Sequence, residues 1–158
     1  MSTKIQLLSI FFICFLLTGC GFKKVHQSHE GLIQIQNLKI SGNNRLANII
    51  KNKINLISVM NGRNKINLTF KLSKNKSVKE KNISDRITKY EITLVAEMTL
   101  KDIKTSSEIN KNFQKTLIFS TAKNFSGTIA NENKTIKELA KQIAEEIIYF
   151  LNISYKDK

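Results

Sequence analysis

From Tyr90 to Lys101 the chain alternates without a break. Tyr90, Ile92, Leu94, Ala96, Met98 and Leu100 fall on one side; Glu91, Thr93, Val95, Glu97, Thr99 and Lys101 fall on the other. Successive side chains of a strand point to opposite faces, so a period of two over this length specifies a strand with one buried and one wet face. Such a strand cannot stand alone; it needs paired neighbours and a layer to cover its apolar face. Three other segments supply neighbours. Ile66, Leu68, Phe70 and Leu72 alternate with Asn67, Thr69 and Lys71. In Phe113–Thr121, Leu117 and Phe119 oppose Thr116, Ile118 and Ser120, less regularly. In Leu32–Ile40, Ile33 and Ile35 alternate with Gln34 and Gln36.

Two helical stripes supply the cover. Leu46, Ile49, Ile50, Ile54 and Ile57 recur at spacings of three and four, which is one face of an amphipathic helix. Ser41-Gly42-Asn43-Asn44 before it is a turn with candidate caps, and Asn61-Gly62 after it is a turn signal. A second helix is predicted to start near Lys134, with Ile136, Leu139, Ala140, Ile143, Ala144, Ile147, Ile148 and Leu151 in a continuous stripe. The polar stretches between elements read as connections. Ser73–Ser84, whose apolar residues are Val78 and Ile83, is expected to be a loop; Lys104–Asn110 a hairpin connection; and Lys123–Asn133, with Gly127, a second long loop. The order β-α-β-β-β-α predicts an α+β fold, a two-layer α/β sandwich. Its four-stranded mixed sheet carries both helices on one face. The first two strands, joined through a helix, are expected to be parallel with a right-handed crossover. The other sheet face would present Thr93, Glu97 and Thr99 to water or to a partner.

The N-terminus bears on compartment. Lys4 precedes Leu7–Leu17, a run that is apolar except for Ser9. It is too short to span a bilayer, which takes about 20 residues, and suits the apolar core of a secretory leader. It ends in Leu17-Thr18-Gly19-Cys20, which resembles the bacterial lipobox, where small residues admit the signal peptidase and the Cys thiol accepts a diacylglyceryl group. The expected organisation is a signal peptide over 1–19, a tether over 20–31 lipidated at Cys20, one domain over 32–153 and a tail over 154–158. Cys14 leaves with the leader and Cys20 is acylated, so neither forms a disulfide. Gly21, where an Asp would favour inner-membrane retention, favours the outer membrane by resemblance to known lipoprotein sorting. Several acyl chains, at roughly 0.8 kcal/mol per buried methylene, would anchor the domain stably.

That compartment changes the meaning of the charge. A formal net charge of +14 on 158 residues, from 26 basic and 12 acidic side chains, would ordinarily suggest nucleic acid. An extracytoplasmic chain does not meet cytoplasmic DNA or RNA. The basic side is also 23 Lys to 3 Arg, poor in the residue that reads guanine and phosphate bidentately. Lys, Ile and Asn together make up 63 residues, all with A/T-rich codons, so part of the excess follows base composition.

Enzyme chemistry finds little support. His26 and His29 lie in the tether with Glu30 as the nearest carboxylate, short of a metal-ligand set. No nucleophile elbow, phosphate loop or zinc-peptidase motif occurs. Asp85 and the pair Glu145-Glu146 read as solvated charges, with no second catalytic group nearby in sequence. No cofactor is implied. What stands out is cations on either side of one turn: Lys74, Lys76, Lys79 and Lys81 before it, Arg86 and Lys89 after it. They are either a solvated loop or an anion-binding patch. In an outer-membrane setting the abundant anion is lipopolysaccharide, whose phosphates suit point-charge Lys contacts.

Cys20-Gly21-Phe22 resembles the opening of mature LptE-family lipoproteins, which assemble lipopolysaccharide; the family continues Arg-Pro-Leu, whereas this chain has Lys23-Lys24-Val25. Asp85-Arg86-Ile87-Thr88-Lys89-Tyr90, with a long strand ending in Leu100-Lys101-Asp102, is similar to the family's central strand. Phe119-Ser120-Thr121, Ser126 and Lys137-Glu138-Leu139-Ala140-Lys141-Gln142-Ile143 resemble its last strand and terminal helix. The resemblance implies a sheet packed with two helices and a non-enzymatic role. It implies a plug within an LptD β-barrel, on the periplasmic side of the outer membrane, that contacts lipopolysaccharide during insertion into the outer leaflet. Arg86 and Lys89, in the matching segment, with Lys81 and Lys79, are the candidate lipopolysaccharide contacts. The competing expectation is an envelope lipoprotein that binds polyanions or a small ligand without a barrel partner.

Overall fold

A computed structural model describes residues 32–155. The leader, Cys20 and the tether histidines His26 and His29 lie outside the described residues. The elements are β1 (Ile33–Ser41), α1 (Asn44–Asn55), β2 (Asn64–Lys81), β3 (Ile87–Asp102), β4 (Glu108–Ser120) and α2 (Phe125–Ser154). The sheet order is β1-β2-β3-β4; β1 and β2 are parallel and the other pairs antiparallel. This is the α+β architecture the alternation predicts.

Register shows why the apolar pattern works. Leu68 pairs with Leu100, Phe70 with Met98 and Leu72 with Ala96, and all six are buried. They meet Leu46, Ile50 and Ile54 of α1 and Leu139, Ile143 and Ile147 of α2 in one core. Both helices therefore cover the same sheet face, α1 beside β1 and α2 over β4. In β1 the phase of the pattern changes: Ile35 pairs with Ile66, but Leu38 pairs with Leu68 and Ile40 with Phe70, across a register shift between Ile35 and Asn37. An extra residue in one strand is a β-bulge, and here it turns even-numbered side chains inward where odd-numbered ones had been.

Local chemistry sets the boundaries. Asn43 caps α1, its Oδ1 accepting from the N–H groups of Arg45 at 3.1 Å and Leu46 at 3.3 Å. Gly42 before it has φ +112, and a Cβ there would lie 2.4 Å from the carbonyl oxygen of Leu72, so both conformation and space require glycine. The β3–β4 turn is closed by Asp102, which accepts from the N–H groups of Lys104 at 2.9 Å and Thr105 at 3.0 Å.

Two expected loops are regular structure. Ser73–Ser84 belongs mostly to β2, which continues to Lys81. Its side chains past Leu72 are exposed, so no buried face imposes an alternation. The strand persists because β3 opposite it continues, Lys74 pairing with Leu94 and Lys76 with Ile92; pairing overrides the weak strand preference of Lys, Ser and Asn. Likewise α2 begins at Phe125, not near Lys134. Asn124 caps it, accepting from the Gly127 N–H at 2.7 Å. Its first turns dock through polar contacts: Asn131 Nδ2 donates to the Ser120 carbonyl at 2.9 Å, and Arg45 donates to Asn133 Oδ1 at 3.0 Å. A helix held this way carries no apolar stripe to read. At the other end α2 runs to Ser154, and Tyr155 is buried.

Candidate functional site

The β2–β3 hairpin brings four of the six singled-out cations to one end of the sheet. Its turn is built by Asn82, whose Oδ1 accepts from the N–H groups of Ser84 at 3.0 Å and Arg86 at 2.9 Å. Asp85 sits at φ 59, a left-handed position that Asp tolerates better than most residues. Lys81 pairs with Ile87, and Glu80 with Lys89, across the strands flanking this turn.

Most of these cations already have acids. Lys79 lies 3.2 Å from Glu91, Lys81 2.9 Å from Asp85 and Lys89 2.7 Å from Glu80. Glu80 also accepts from Thr88 Oγ1 at 2.9 Å; the hydrogen bonds from Lys89 and Thr88 hold its carboxyl below the usual range. All three ammonium groups remain substantially exposed, and exposed pairs contribute only about 0–1 kcal/mol. An anion arriving at the tip would compete only with weakly held partners. Arg86 is exposed and has no ion pair among the described residues.

Lys74 and Lys76 are placed differently. Both turn to the helix side and share Glu132 of α2, at 3.5 Å and 2.6 Å. Lys76 also sits 4.2 Å from the ring centroid of Tyr90, which stacks on Phe119 at 5.5 Å. The hydrogen bond from Lys76, ahead of the attraction of both lysines, holds the Glu132 carboxyl below its ordinary range. These two cations fasten the hairpin to α2.

Large apolar side chains are also exposed toward this end of the molecule. Ile83 at the tip is wholly exposed, Phe125 at the start of α2 is 80% exposed, and Val78 and Ile129 are also exposed. Val78 and Ile83 were visible as the apolar exceptions in a polar segment; Phe125 and Ile129 were hidden in an expected loop. Ile83, in the turn between Lys81 and Arg86, sets exposed hydrocarbon among the tip cations, which suits an anionic amphiphile better than a purely polar anion. The carboxylates considered for catalysis are engaged: Asp85 with Lys81, Glu145 with Lys53 at 3.8 Å and Glu146 with Lys115 at 3.2 Å. Among the described residues no group of three or more His, Cys, Asp or Glu could hold a metal ion, and no helix is long and apolar enough to cross a membrane.

The model of the LptE family, described as lipopolysaccharide-assembly, matches residues 35–151. That span runs from β1 to near the end of α2 and covers well over half of the chain. The chain belongs to the LptE family. It is a lipopolysaccharide-assembly lipoprotein of a family whose role is non-enzymatic. The LptE fold is also found by shape. The chain is similar to rare lipoprotein B from Shewanella oneidensis, with a TM-score of 0.61 and 12% identity over 77% of this chain and 97% of that one. It is similar to lipoprotein B from Nitrosomonas europaea, with a TM-score of 0.54 and 13% identity over 73% and 79% of the two chains. A lipoprotein from Caulobacter crescentus gives 0.53, with 14% identity over 77% and 92%. No curated protein matches the sequence. At these identities the likeness is one of fold, so it transfers no site residue to this LptE chain.

Proposed function

We propose that this chain is an outer-membrane lipoprotein, anchored through acylated Cys20 on the periplasmic side. In this reading it assembles with an LptD-type β-barrel, plugs its lumen and supports the insertion of lipopolysaccharide into the outer leaflet. The observation that carries this reading is the family match across β1 to α2. The uncovered sheet face supports it. Thr69 faces Thr99, which hydrogen-bonds Asn110 at 2.7 Å, and Thr93 meets Thr116 at 2.9 Å. A face of hydroxyls, amides and charged side chains, with Lys71 beside Glu97 at 3.9 Å, and without aromatic side chains, suits a hydrated wall, where water bridges polar groups at little cost.

At the hairpin tip, Arg86, Lys89, Lys81 and Lys79 engage lipopolysaccharide phosphates by exchanging weak internal partners for a multiply charged one. Two measurements test the function. Detergent extraction of the lipidated protein is expected to recover a large β-barrel with it. Arg86→Glu/Lys89→Glu is expected to weaken lipopolysaccharide binding at low salt by at least tenfold while leaving the fold intact. Lipopolysaccharide binding without any barrel would support an envelope polyanion-binding lipoprotein instead. Unchanged binding by the double variant would remove the tip from the site.

A further inference from the structure

The sheet ends at β4, and its outer edge is unpaired among the described residues. A strand of 13 residues with a free row of backbone donors and acceptors is a template for another strand. The other edge, β1, is shorter at nine residues and interrupted by its bulge, which makes it the poorer template.

The β4 edge is also overhung. α2 lies above β4, and between them runs a groove whose lining includes Lys111, Phe113, Glu146, Tyr149, Phe150 and Ile153. Phe113 and Phe150 form its floor, edge to face at 6.0 Å. Tyr149 and Ile153, one helical turn apart on α2, are 67% and 54% exposed. Lys111 holds its ammonium 4.2 Å from the Phe150 ring centroid and 5.7 Å from that of Phe113. It has no ion pair among the described residues, whereas Lys115, two inward positions further on past Phe113, is paired with Glu146.

We propose that β4 accepts an added strand. The occupant is an extended segment of the barrel partner, apolar at alternate positions and carrying a carboxylate that meets Lys111. Main-chain hydrogen bonds along β4 would give affinity, and the groove would select side chains that point inward at every second residue. A closed barrel wall has no free edge to offer, so the segment is a loop or terminal extension of that partner. The charge of the occupant follows from Lys111, the unpaired cation at the groove. This inference rests on the barrel partnership proposed above.

The test uses the full-length lipidated protein, free and in complex with the co-expressed barrel. Backbone amide exchange across residues 108–120 is expected to slow at least tenfold in the complex. A photoreactive phenylalanine analogue at Tyr149 is expected to crosslink one segment of the barrel polypeptide. Tyr149→Asp/Ile153→Asp, both exposed and so compatible with folding, is expected to cut complex recovery at least fivefold while amide exchange in the core strands stays unchanged. A complex that forms with β4 exchanging at its free rate overturns this proposal and leaves the partnership standing. An adduct to a second copy, or to the N-terminal tether of the same chain, overturns it too. Failure of the wild-type chain to recover any barrel overturns both.

Discussion

The hydroxyl of Tyr155 donates a hydrogen bond of 3.2 Å to Oδ2 of Asp102, joining the end of α2 to the end of β3 inside the protein. Asp102 is 4% exposed and Tyr155 2%. The other oxygen of Asp102 holds the β3–β4 turn through two backbone N–H groups. One carboxylate therefore ties a helix terminus to a hairpin 53 residues away in sequence.

Removing that hydroxyl with Tyr155→Phe is expected to destabilise the fold by about 1–2 kcal/mol, because a buried charged acceptor loses a partner. Thermal melting of the two proteins checks this. The pH dependence follows from the same contact. The Thr105 N–H first, with those of Lys104 and the Tyr155 hydroxyl, holds the Asp102 carboxyl below its ordinary range. A depressed folded value gives stability that is present above the unfolded value, about 3.9, and is lost as pH falls through the lower folded one. Burial, then the nearby Asp102 charge, pushes the Tyr155 phenol up to about 12. A raised value has the opposite sense: its stability is complete below about 10, the unfolded value, and is lost as pH rises through about 12. Wild-type melting temperature should fall at both extremes, and Tyr155→Phe should flatten the alkaline limb.

Gly42→Ala is expected to be among the costlier conservative changes. A methyl there meets the Leu72 carbonyl oxygen at 2.4 Å, at φ +112. Strain of this kind costs on the order of 1–3 kcal/mol. Because Gly42 joins β1 to α1 against β2, urea denaturation should show a lowered midpoint with an unchanged slope. An unchanged midpoint would show that the turn relaxes freely.

Legibility in the sequence followed burial. The core side of β3 and the stripe of α2 from Leu139 to Leu151 were readable because a buried face enforces a period. The parallel pairing of β1 with β2 followed from the crossover through α1. Within the expected loops Ser73–Ser84 and Lys123–Asn133, the parts that form β2 and α2 carry no pattern because their order comes from partners distant in sequence. Lys74 belongs to a strand because Leu94 lies opposite, and Glu132 to a helix that Lys76 helps to hold. The candidate cations were legible as a cluster, but their pairing was not: composition places Lys89 near the turn, and only the register places Glu80 beside it.

If polar contacts hold the first turns of α2, Glu132→Ala should loosen that segment selectively. Amide exchange across residues 125–134 is expected to quicken several-fold, while the amides of β3 stay protected. Global stability should fall by less than about 1 kcal/mol, since Lys74 and Lys76 keep access to water once unpaired. Uniform quickening across the sheet would instead make Glu132 part of the global folding unit.

The tip offers a test in which binding should improve. Lys89 is held by Glu80 at 2.7 Å, and in the proposed site the same ammonium would meet the incoming anion. Glu80→Gln removes the internal carboxylate and leaves an amide that Thr88 can still reach. Freed of its counter-charge, Lys89 should bind lipopolysaccharide more tightly, by roughly two- to fivefold at low salt, the range of one weak exposed pair. The gain should shrink as ionic strength rises and the screening length falls below about 10 Å. It should vanish in an Arg86→Glu/Lys89→Glu background, where no cation is left to release. A binding curve that does not respond to Glu80→Gln would mean that Lys89 does not face the ligand, and would shift the site toward Arg86 and the exposed apolar side chains of Ile83 and Phe125.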